Sequence, residues 1–363
     1  MIVIGTDTRK RTHTCAAVDG ATGRPGGELT APARDPGFRE LLAWGRGLGG
    51  ERIWAIEDCR HVSGSFERFL VASGERVVRV APRLTGQGRR GERGAGKSDP
   101  IDALAVARAA LREGPDTLPA AHLDEEALEI KLLLDHREDL VKARTEDQCR
   151  LRWHLHDLWP DLEIPTGALD RTVWLDRLAR RLSRVGQGTR ATIARELVVE
   201  IRRRTRRVRE LGREIAALVE ARAPALLDLE GCGPLTAAKL IAETAGAGRL
   251  ASDSKFARLA GVAPIPASSG MSTRHRLDRG GNRRLNCALH RIAVTQGRCH
   301  APAREFLTRK QAEGKSRLEA LRCLKRHLAR RVWRLLLDAE RERSEDTVHA
   351  QRGLPTPRSS ATA

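Results

Sequence analysis

A chain of 363 residues with 66 lysines and arginines against 47 aspartates and glutamates carries a formal charge of +19, an excess that points to a polyanionic partner, with nucleic acid the first choice. No apolar run approaches the about 18 residues that cross a bilayer, and the opening MIVIGTDTRK lacks the long apolar core of a secretory leader, so a cytoplasmic protein without a membrane span is expected. The seven cysteines form no CxxC pair and tyrosine is absent, which argues against a disulfide framework and excludes any tyrosine-linked DNA intermediate.

In chain order, Ile2–Thr6 is a short apolar strand, Thr12–Val18 alternates and ends in the turn DGATG, and Glu28–Ala31 is a candidate third strand. Asp35–Gly47 places Phe38, Leu41, Leu42 and Trp44 at helical spacing. Arg52–Ile56 reads as a strand, His61–Ala72 as a helix and Arg76–Val80 as a strand. A basic loop, Arg83–Lys97, then leads into an alanine-rich helix from Asp99. The order βββαβαβα predicts a mixed α/β sheet flanked by helices.

Acids mark this region. Asp99 and Asp102 are three apart, so on a helix they share a face, and a carboxylate pair is how proteins hold Mg²⁺ for phosphoryl transfer. The same residues also read as an ordinary helix start, with Asp99 as N-cap, Pro100 at the first helical position and Asp102 at the capping-box position. Gly91–Ser98, GERGAGKS, matches a phosphate-binding loop, but LTGQGRR before it cannot form the buried strand that such a loop needs. Asp7 ends the first strand and Glu57 the fourth, where sites in open sheets gather. Asp7, Glu57, Asp99 and Asp102 together suffice for two divalent ions, with Asp19, Asp35 and Asp58 as possible substitutes. This order with acids at these places resembles the ribonuclease H-like fold of junction resolvases.

Leu123–Trp159 reads as one charge-laced helix, with Ile130, Leu134, Val141, Leu151, Leu155 and Leu158 on a heptad seam that Arg137, Arg144 and Gln148 interrupt. A second helix, about Thr189–Ala221, holds six arginines within Arg202–Arg209, and the two suit an antiparallel coiled coil within or between chains. Arg203 and Arg206 in that run are either a solvated face or phosphate contacts. In Leu226–Thr244, Gly231-Cys232-Gly233-Pro234 separates two apolar segments, as in a helix–hairpin–helix or a tight structural turn. Between Phe256–Ile265 and a helical Leu285–Gln296 lies a small, basic loop: Ser268-Ser269-Gly270 among Arg274, Arg276, Arg279, Arg283 and Arg284. Serine before glycine is common in turns. Cys287, His290, Cys299 and His300 fit no standard zinc spacing. Arg317–Glu340 is a last helix, and Ser344–Ala363 reads as disordered.

The segments GTDTRKRTHTCAAVD, WAIEDC, KSDPIDALAVARAA, LEGCGPLTAAKLIAE and FARLAGVAPIPASSG…RGGNRRLNCALHRIAV resemble transposases of the insertion sequence one-ten family, over about residues 2–112 and 225–300. With the element pattern, the resemblance implies a ribonuclease H-like (RuvC-like) DEDD catalytic domain over 1–115 and a helical coiled-coil region over 120–222. An all-α serine-bearing transposase domain containing the helix–hairpin–helix-like unit then covers 223–342, and a tail covers 343–363. It further implies Asp7, Glu57, Asp99 and Asp102 as ligands of Mg²⁺ and Ser269 as a nucleophile that forms a transient phosphoserine link to DNA, with Ser268 beside it still open. Donor and target DNA, a guiding non-coding bridge RNA and a dimer or tetramer in which one chain's serine domain completes another's acidic site are likewise implied. After Glu57 the sequence DCRHVSG departs from the glycine turn with an aromatic residue often seen in the family. Two other functions stay open: a hydrolytic RuvC-like nuclease or junction resolvase that uses water, and a non-catalytic nucleic-acid-binding protein whose acids cap helices.

Overall fold

The computed structural model describes residues 1–57, 60–82, 84–85, 98–121, 124–267, 275–276, 278 and 280–351. The chain forms two compact units, one of residues 1–124, 245–259 and 278–280, the other of 125–244, 260–277 and 281–363.

In the first unit, β1 (Ile2–Thr8), β2 (Thr12–Asp19) and β3 (Pro25–Pro32) make an antiparallel meander. The Asp19 carboxylate closes the β2–β3 turn by accepting from the amides of Ala21 (3.0 Å) and Thr22 (2.7 Å), an Asx turn. After α1 (Asp35–Gly47), β4 (Arg52–Glu57) runs parallel to β1, and after α2 (Arg60–Ala72), β5 (Val77–Val80) runs parallel to β4. The strand order is β3-β2-β1-β4-β5. Strand side chains alternate between faces, and both faces of this sheet are covered. Ile4, Cys15, Ala17, Trp54 and Ile56 pack with Phe38, Leu41, Phe66 and Leu70 of α1 and α2. Val3, Val18, Ile53, Ala55, Val78 and Val80 pack with Val106, Ala107 and Ala110 of α3 (Asp99–Glu113).

A buried carboxylate ties these layers together. Glu75 accepts from Arg52 (2.6 and 2.7 Å), from Arg46 (3.1 Å) and from the Trp54 indole (3.1 Å). Burial alone would raise its pKa, but these donors outweigh it and hold the carboxyl down to about 2.

In the second unit, α4 (Glu125–Leu158) and α6 (Thr189–Arg222) are 34 residues each, about 50 Å long at ~1.5 Å per residue. They pack antiparallel within one chain: Asp157 pairs with Arg190, Asp147 with Arg204 (2.8 Å) and Glu126 with Arg222. Ile130, Leu134, Leu151 and Leu155 are buried toward the two ends. In the middle, where the apolar seam lapses, Asp147 is buried against Arg204, and Arg144 reaches Asp170 (3.1 Å). Between the pair in sequence lies α5 (Thr172–Leu182), whose Leu175, Leu178 and Leu182 join Leu151, Leu155, Val198 and Ile201 in one core. The sequence pattern does not announce α5, because its apolar stripe is only three leucines long amid arginines. Arg195 of α6 donates to the Leu182 carbonyl (3.2 Å) and Arg202 pairs with Asp176, so α5 runs antiparallel to α6.

The helix–hairpin–helix expected over Leu226–Thr244 is not formed. Pro224–Leu226 is a single 3-10 turn and only α7 (Pro234–Thr244) is α-helical, since too few residues separate Pro224 from Gly231 for a stable first arm. The residues from 245 onward return to the first unit, where Arg249 donates to the Ala120 carbonyl (3.1 Å), and include the short helix α8 (Asp253–Leu259). The chain continues through the ribbon β6 (Ile265–Pro266) and β7 (His275–Arg276) to α9 (Arg283–Cys299), α10 (Ala301–Ala312) and α11 (Arg317–Gln351). α11 runs past Ser344 into the stretch expected to be disordered, because the helix-forming ERERSED sequence continues it. Among the described residues, no helix is long and apolar enough to cross a membrane.

Breaking the Glu75 network leaves Arg52 without its buried partner. Glu75→Ala is expected to cost about 3 kcal/mol in urea unfolding. Because the folded carboxyl binds its proton more weakly than the unfolded one, wild-type stability is fully present above about 4.5 and drains away as pH falls toward about 2. The variant should lose that share of the acid dependence.

Candidate active site

The four candidate acids lie on one side of the sheet. Val3, Gly5 and Asp7 alternate onto the α3 face of β1, and the parallel register Val3↔Ile53 and Gly5↔Ala55 puts Glu57, two residues beyond Ala55, on that same face of β4. Asp7 and Glu57 therefore stand at the carboxyl ends of adjacent parallel strands, and α3 brings Asp99 and Asp102 to the same face. The approach is close: a Cβ on Gly5 would lie 2.1 Å from the Ala103 carbonyl oxygen and 2.4 Å from the Ala107 nitrogen. Only glycine permits this contact, and it seats Asp102 in the interface, where it is 6% exposed.

Asp99 does not cap α3. Ser98 occupies the N-cap position without a side-chain hydrogen bond to the helix, and Asp99 is the first helical residue. Its carboxylate pairs instead with Arg9, whose Nε also lies 3.3 Å from Asp7. One guanidinium thus bridges an acid from the end of β1 and an acid from the start of α3. Burial raises the Asp7 pKa; its bond to Arg9 lowers it, and the nearby Asp102 and Asp99 raise it again, with a net upward shift. Glu57 accepts from the buried Thr85 hydroxyl (2.7 Å). Neither Arg9 nor Thr85 figures in the sequence reading. Arg9 leaves a faint trace there, a base two residues after an acid at a strand end, whereas Thr85 leaves none.

Hard oxygen donors of this kind suit a divalent cation such as Mg²⁺ or Mn²⁺. Among the described residues, no group of three or more His, Cys, Asp or Glu side chains is already gathered at metal-binding range, including Cys287, His290, Cys299 and His300.

Ser268, Ser269, Gly270, Arg274 and Arg279 lie outside the described residues, as do Asp58 and most of the glycine-rich stretch before Ser98. The residues on either side of the two serines are described. Ile265 and Pro266 pair with Arg276 and His275 across its base, and a Cβ on Gly281 would lie 2.1 Å from the Gly261 nitrogen. Asn282 caps α9, accepting from the Arg284 and Leu285 amides (2.9 and 3.1 Å), and donates to the buried Glu243 (2.7 Å). Asn286 donates to the carbonyls of Ala260 (3.0 Å) and Gly261 (2.9 Å).

The candidate phosphate-binding arginines divide into two kinds. Arg284 is half-buried among Asp135 (2.5 Å), Glu138 (2.9 Å) and Glu243 (3.2 Å), and Arg203 pairs with Glu200 (2.8 Å). Arg206, Arg276 and Arg283 are exposed.

Two expectations follow. Gly5→Ala should cost about 3 kcal/mol in thermal or urea unfolding, because the added methyl meets helix backbone that cannot give way. Asp7→Asn should raise Tm near neutral pH. The folded carboxyl holds its proton at a higher pH than the unfolded one, so stability falls as pH rises through that window. Near about pH 3, with both states protonated, the gain should vanish.

A transposase family model of the DEDD type matches residues 4–160, and the model "Transposase IS116/IS110/IS902 family" matches residues 223–308. The chain is similar to the insertion element IS900 uncharacterized 42 kDa protein of Mycobacterium paratuberculosis, 28% identical across 92% of this chain and 95% of that one. It is likewise similar to the insertion element IS116 uncharacterized 44.8 kDa protein of Streptomyces clavuligerus, 28% identical across 78% and 82%. The insertion element IS110 uncharacterized 43.6 kDa protein of Streptomyces coelicolor is also 28% identical, across 68% and 72%.

Proposed function

This chain belongs to the IS116/IS110/IS902 family of transposases, and from that premise we propose that it exchanges DNA strands through a four-carboxylate site and a serine nucleophile. The observation that carries the reading is the placement of Asp7, Glu57, Asp99 and Asp102 on one sheet face at the carboxyl ends of β1 and β4. The order β3-β2-β1-β4-β5, with the first three strands antiparallel, supports a ribonuclease H-like domain over about 1–115. The paired helices α4 and α6 fall in the proposed coiled-coil region of 120–222, and the serine loop falls in the proposed transposase domain of 223–342.

In this mechanism Asp7, Glu57, Asp99 and Asp102 would hold Mg²⁺, and Thr85 orients the Glu57 carboxylate. Bound there, the metal supplies a Lewis acid for the phosphoryl oxygens and the leaving oxygen. Ser269, or Ser268 beside it, gives up its hydroxyl proton and bonds to a DNA phosphorus as the bond from phosphorus to a sugar oxygen breaks. That oxygen departs with a proton, leaving a phosphoserine link for a second strand to reverse. Exposed Arg276 and Arg283, with Arg274 and Arg279 in the loop, neutralise phosphate charge. Guidance by a bridge RNA and assembly as a dimer or tetramer, in which one chain's serine loop meets another's acids, complete the proposal.

The tests separate the two chemistries. Asp102→Asn should lower divalent-metal-dependent strand exchange by about 100-fold or more while duplex binding persists. Ser269→Ala should abolish the covalent protein–DNA species seen on denaturing gels. Survival of those species in a Ser268→Ala, Ser269→Ala double variant would sink the serine mechanism, and unchanged exchange in Asp102→Asn would sink the acidic site. Sequencing of RNA that co-purifies with the chain tests guidance directly.

A further inference from the structure

The arginine run of α6 that stands out in the sequence is largely neutralised in the structure. In α6, Arg202 pairs with Asp176, Arg203 with Glu200, Arg204 with Asp147 and Arg207 with Glu210 and Glu214. Those guanidiniums are largely matched by carboxylates, and they hold helices together.

α5 is different. Residues 171–195 contain seven arginines and one acid, Asp176, which Arg202 already takes. Arg177, Arg180 and Arg181 on α5 and Arg184 in the turn after it are all exposed. Spaced i, i+3, i+4 and i+7, they share the face opposite the buried Leu175, Leu178 and Leu182. Among the described residues none of the four pairs with a carboxylate; Arg180 donates only to the Asp176 carbonyl (3.4 Å). Together they span about 10 Å along the helix at ~1.5 Å per residue. Like charges packed this closely repel one another, and a helix C-terminus, which favours a cation or two in its last turn, does not call for Arg177 a turn and a half earlier.

Two of the four are held in place by aromatic rings. The Arg177 guanidinium lies over the Trp174 ring, 4.9 Å from its centroid, and that of Arg181 over Trp159 at 4.2 Å. Stacking fixes the plane of each guanidinium while leaving its N–H edge turned outward, which lowers the ordering cost of binding an anion. It also occupies one face of each ring, which closes that face to an unpaired base.

We propose that the face formed by Arg177, Arg180, Arg181 and Arg184 is a docking surface for the phosphate backbone of double-helical DNA. A regular row of fixed cations without a carboxylate partner complements a regular row of phosphates. The covered tryptophans point to a paired helix over a single strand, and DNA is the partner that a transposase requires. The proposal rests on the family's DNA-recombining role and adds a positioning surface remote in sequence from the acids and from the serine loop.

The test is fluorescence anisotropy of a labelled duplex with the full chain, over salt from about 50 to 200 mM. The variant carrying Arg177→Ala, Arg180→Ala, Arg181→Ala and Arg184→Ala should bind at least about ten-fold more weakly at low salt. Its slope of log affinity against log salt should be shallower by about 3 to 4, at ~0.9 per phosphate contact. The matching four-fold Arg→Lys variant should keep most of the slope, and Arg207→Ala, which removes a paired arginine, should leave affinity within about two-fold. Far-UV circular dichroism checks that each variant is folded, and Arg180→Ala, Arg184→Ala alone, at two exposed positions, should remove about half of the slope change. A folded four-fold alanine variant with wild-type affinity and slope overturns this surface while leaving the transposase reading intact. Unchanged duplex DNA binding with lost binding to an RNA hairpin overturns it in favour of RNA. Failure of the wild-type chain to bind duplex DNA at all overturns both.

Discussion

The contact between α3 and β1 at Gly5 governs the candidate site. Helices ordinarily pack on sheets at a distance set by side chains, but here the Ala103 carbonyl and the Ala107 amide lie where a Cβ of residue 5 would be. Alanines at 103, 107 and 110 complete the fit on the helix side. The helix is drawn down onto the strand that ends in Asp7, and its own first turn delivers two more acids there. The cost is visible in Asp7, whose carboxyl is pushed up by burial and by its neighbours, and in Arg9, which balances part of the charge. Close packing and charge crowding are thus one arrangement: the small residues that permit the first cause the second.

In the second unit the conspicuous motif RGGNRRLN is largely structural. Gly281 lies against Gly261, Asn282 caps α9 and reaches Glu243, Arg284 joins three carboxylates, and Asn286 ties down the carbonyls of Ala260 and Gly261. These contacts hold the chain on either side of the segment that carries the two serines. A half-buried ion network of this sort adds only modest net stability. Its value here lies in where it puts the chain on either side of the loop.

The sheet was legible in the sequence because its signals are local. Alternation over Thr12–Val18, helical spacing over Asp35–Gly47 and the acids at strand ends all follow from nearest neighbours, and each element of the sheet unit lies within two residues of its expected limits except β3, which begins three residues before Glu28. The mixed sheet followed by a mainly helical region follows from the same periodicities. What stayed hidden depends on partners distant in the chain. Arg9 joins Asp99 ninety residues on, and nothing local distinguishes an arginine matched by a carboxylate, such as Arg204, from one that is not, such as Arg180. The run in α6 drew attention by density, while α5, with fewer arginines and a shorter apolar stripe, carries the less neutralised face. The helix start was misread by one residue, since Ser98 and Asp99 both suit an N-cap and only the ion pair with Arg9 separates their roles.

The return of residues 245–259 to the first unit bears on how the chain comes off the ribosome. Arg249 bonds to the Ala120 carbonyl across 129 positions, Lys131 meets Glu243 across 112 and Arg284 meets Glu138 across 146. Contacts of such sequence separation must wait for loop closure, and they slow folding. The five strands and their helices are synthesised early, yet the unit that they found stays incomplete until residue 280 has emerged, and Glu138 waits for Arg284. At ~5–20 residues per second, nascent chains spend roughly ten seconds or more with the first unit short of its last segments and with these charges unmatched. A chain built this way is closed by its late residues: truncation before Arg284 would leave each unit short of its own closing contacts.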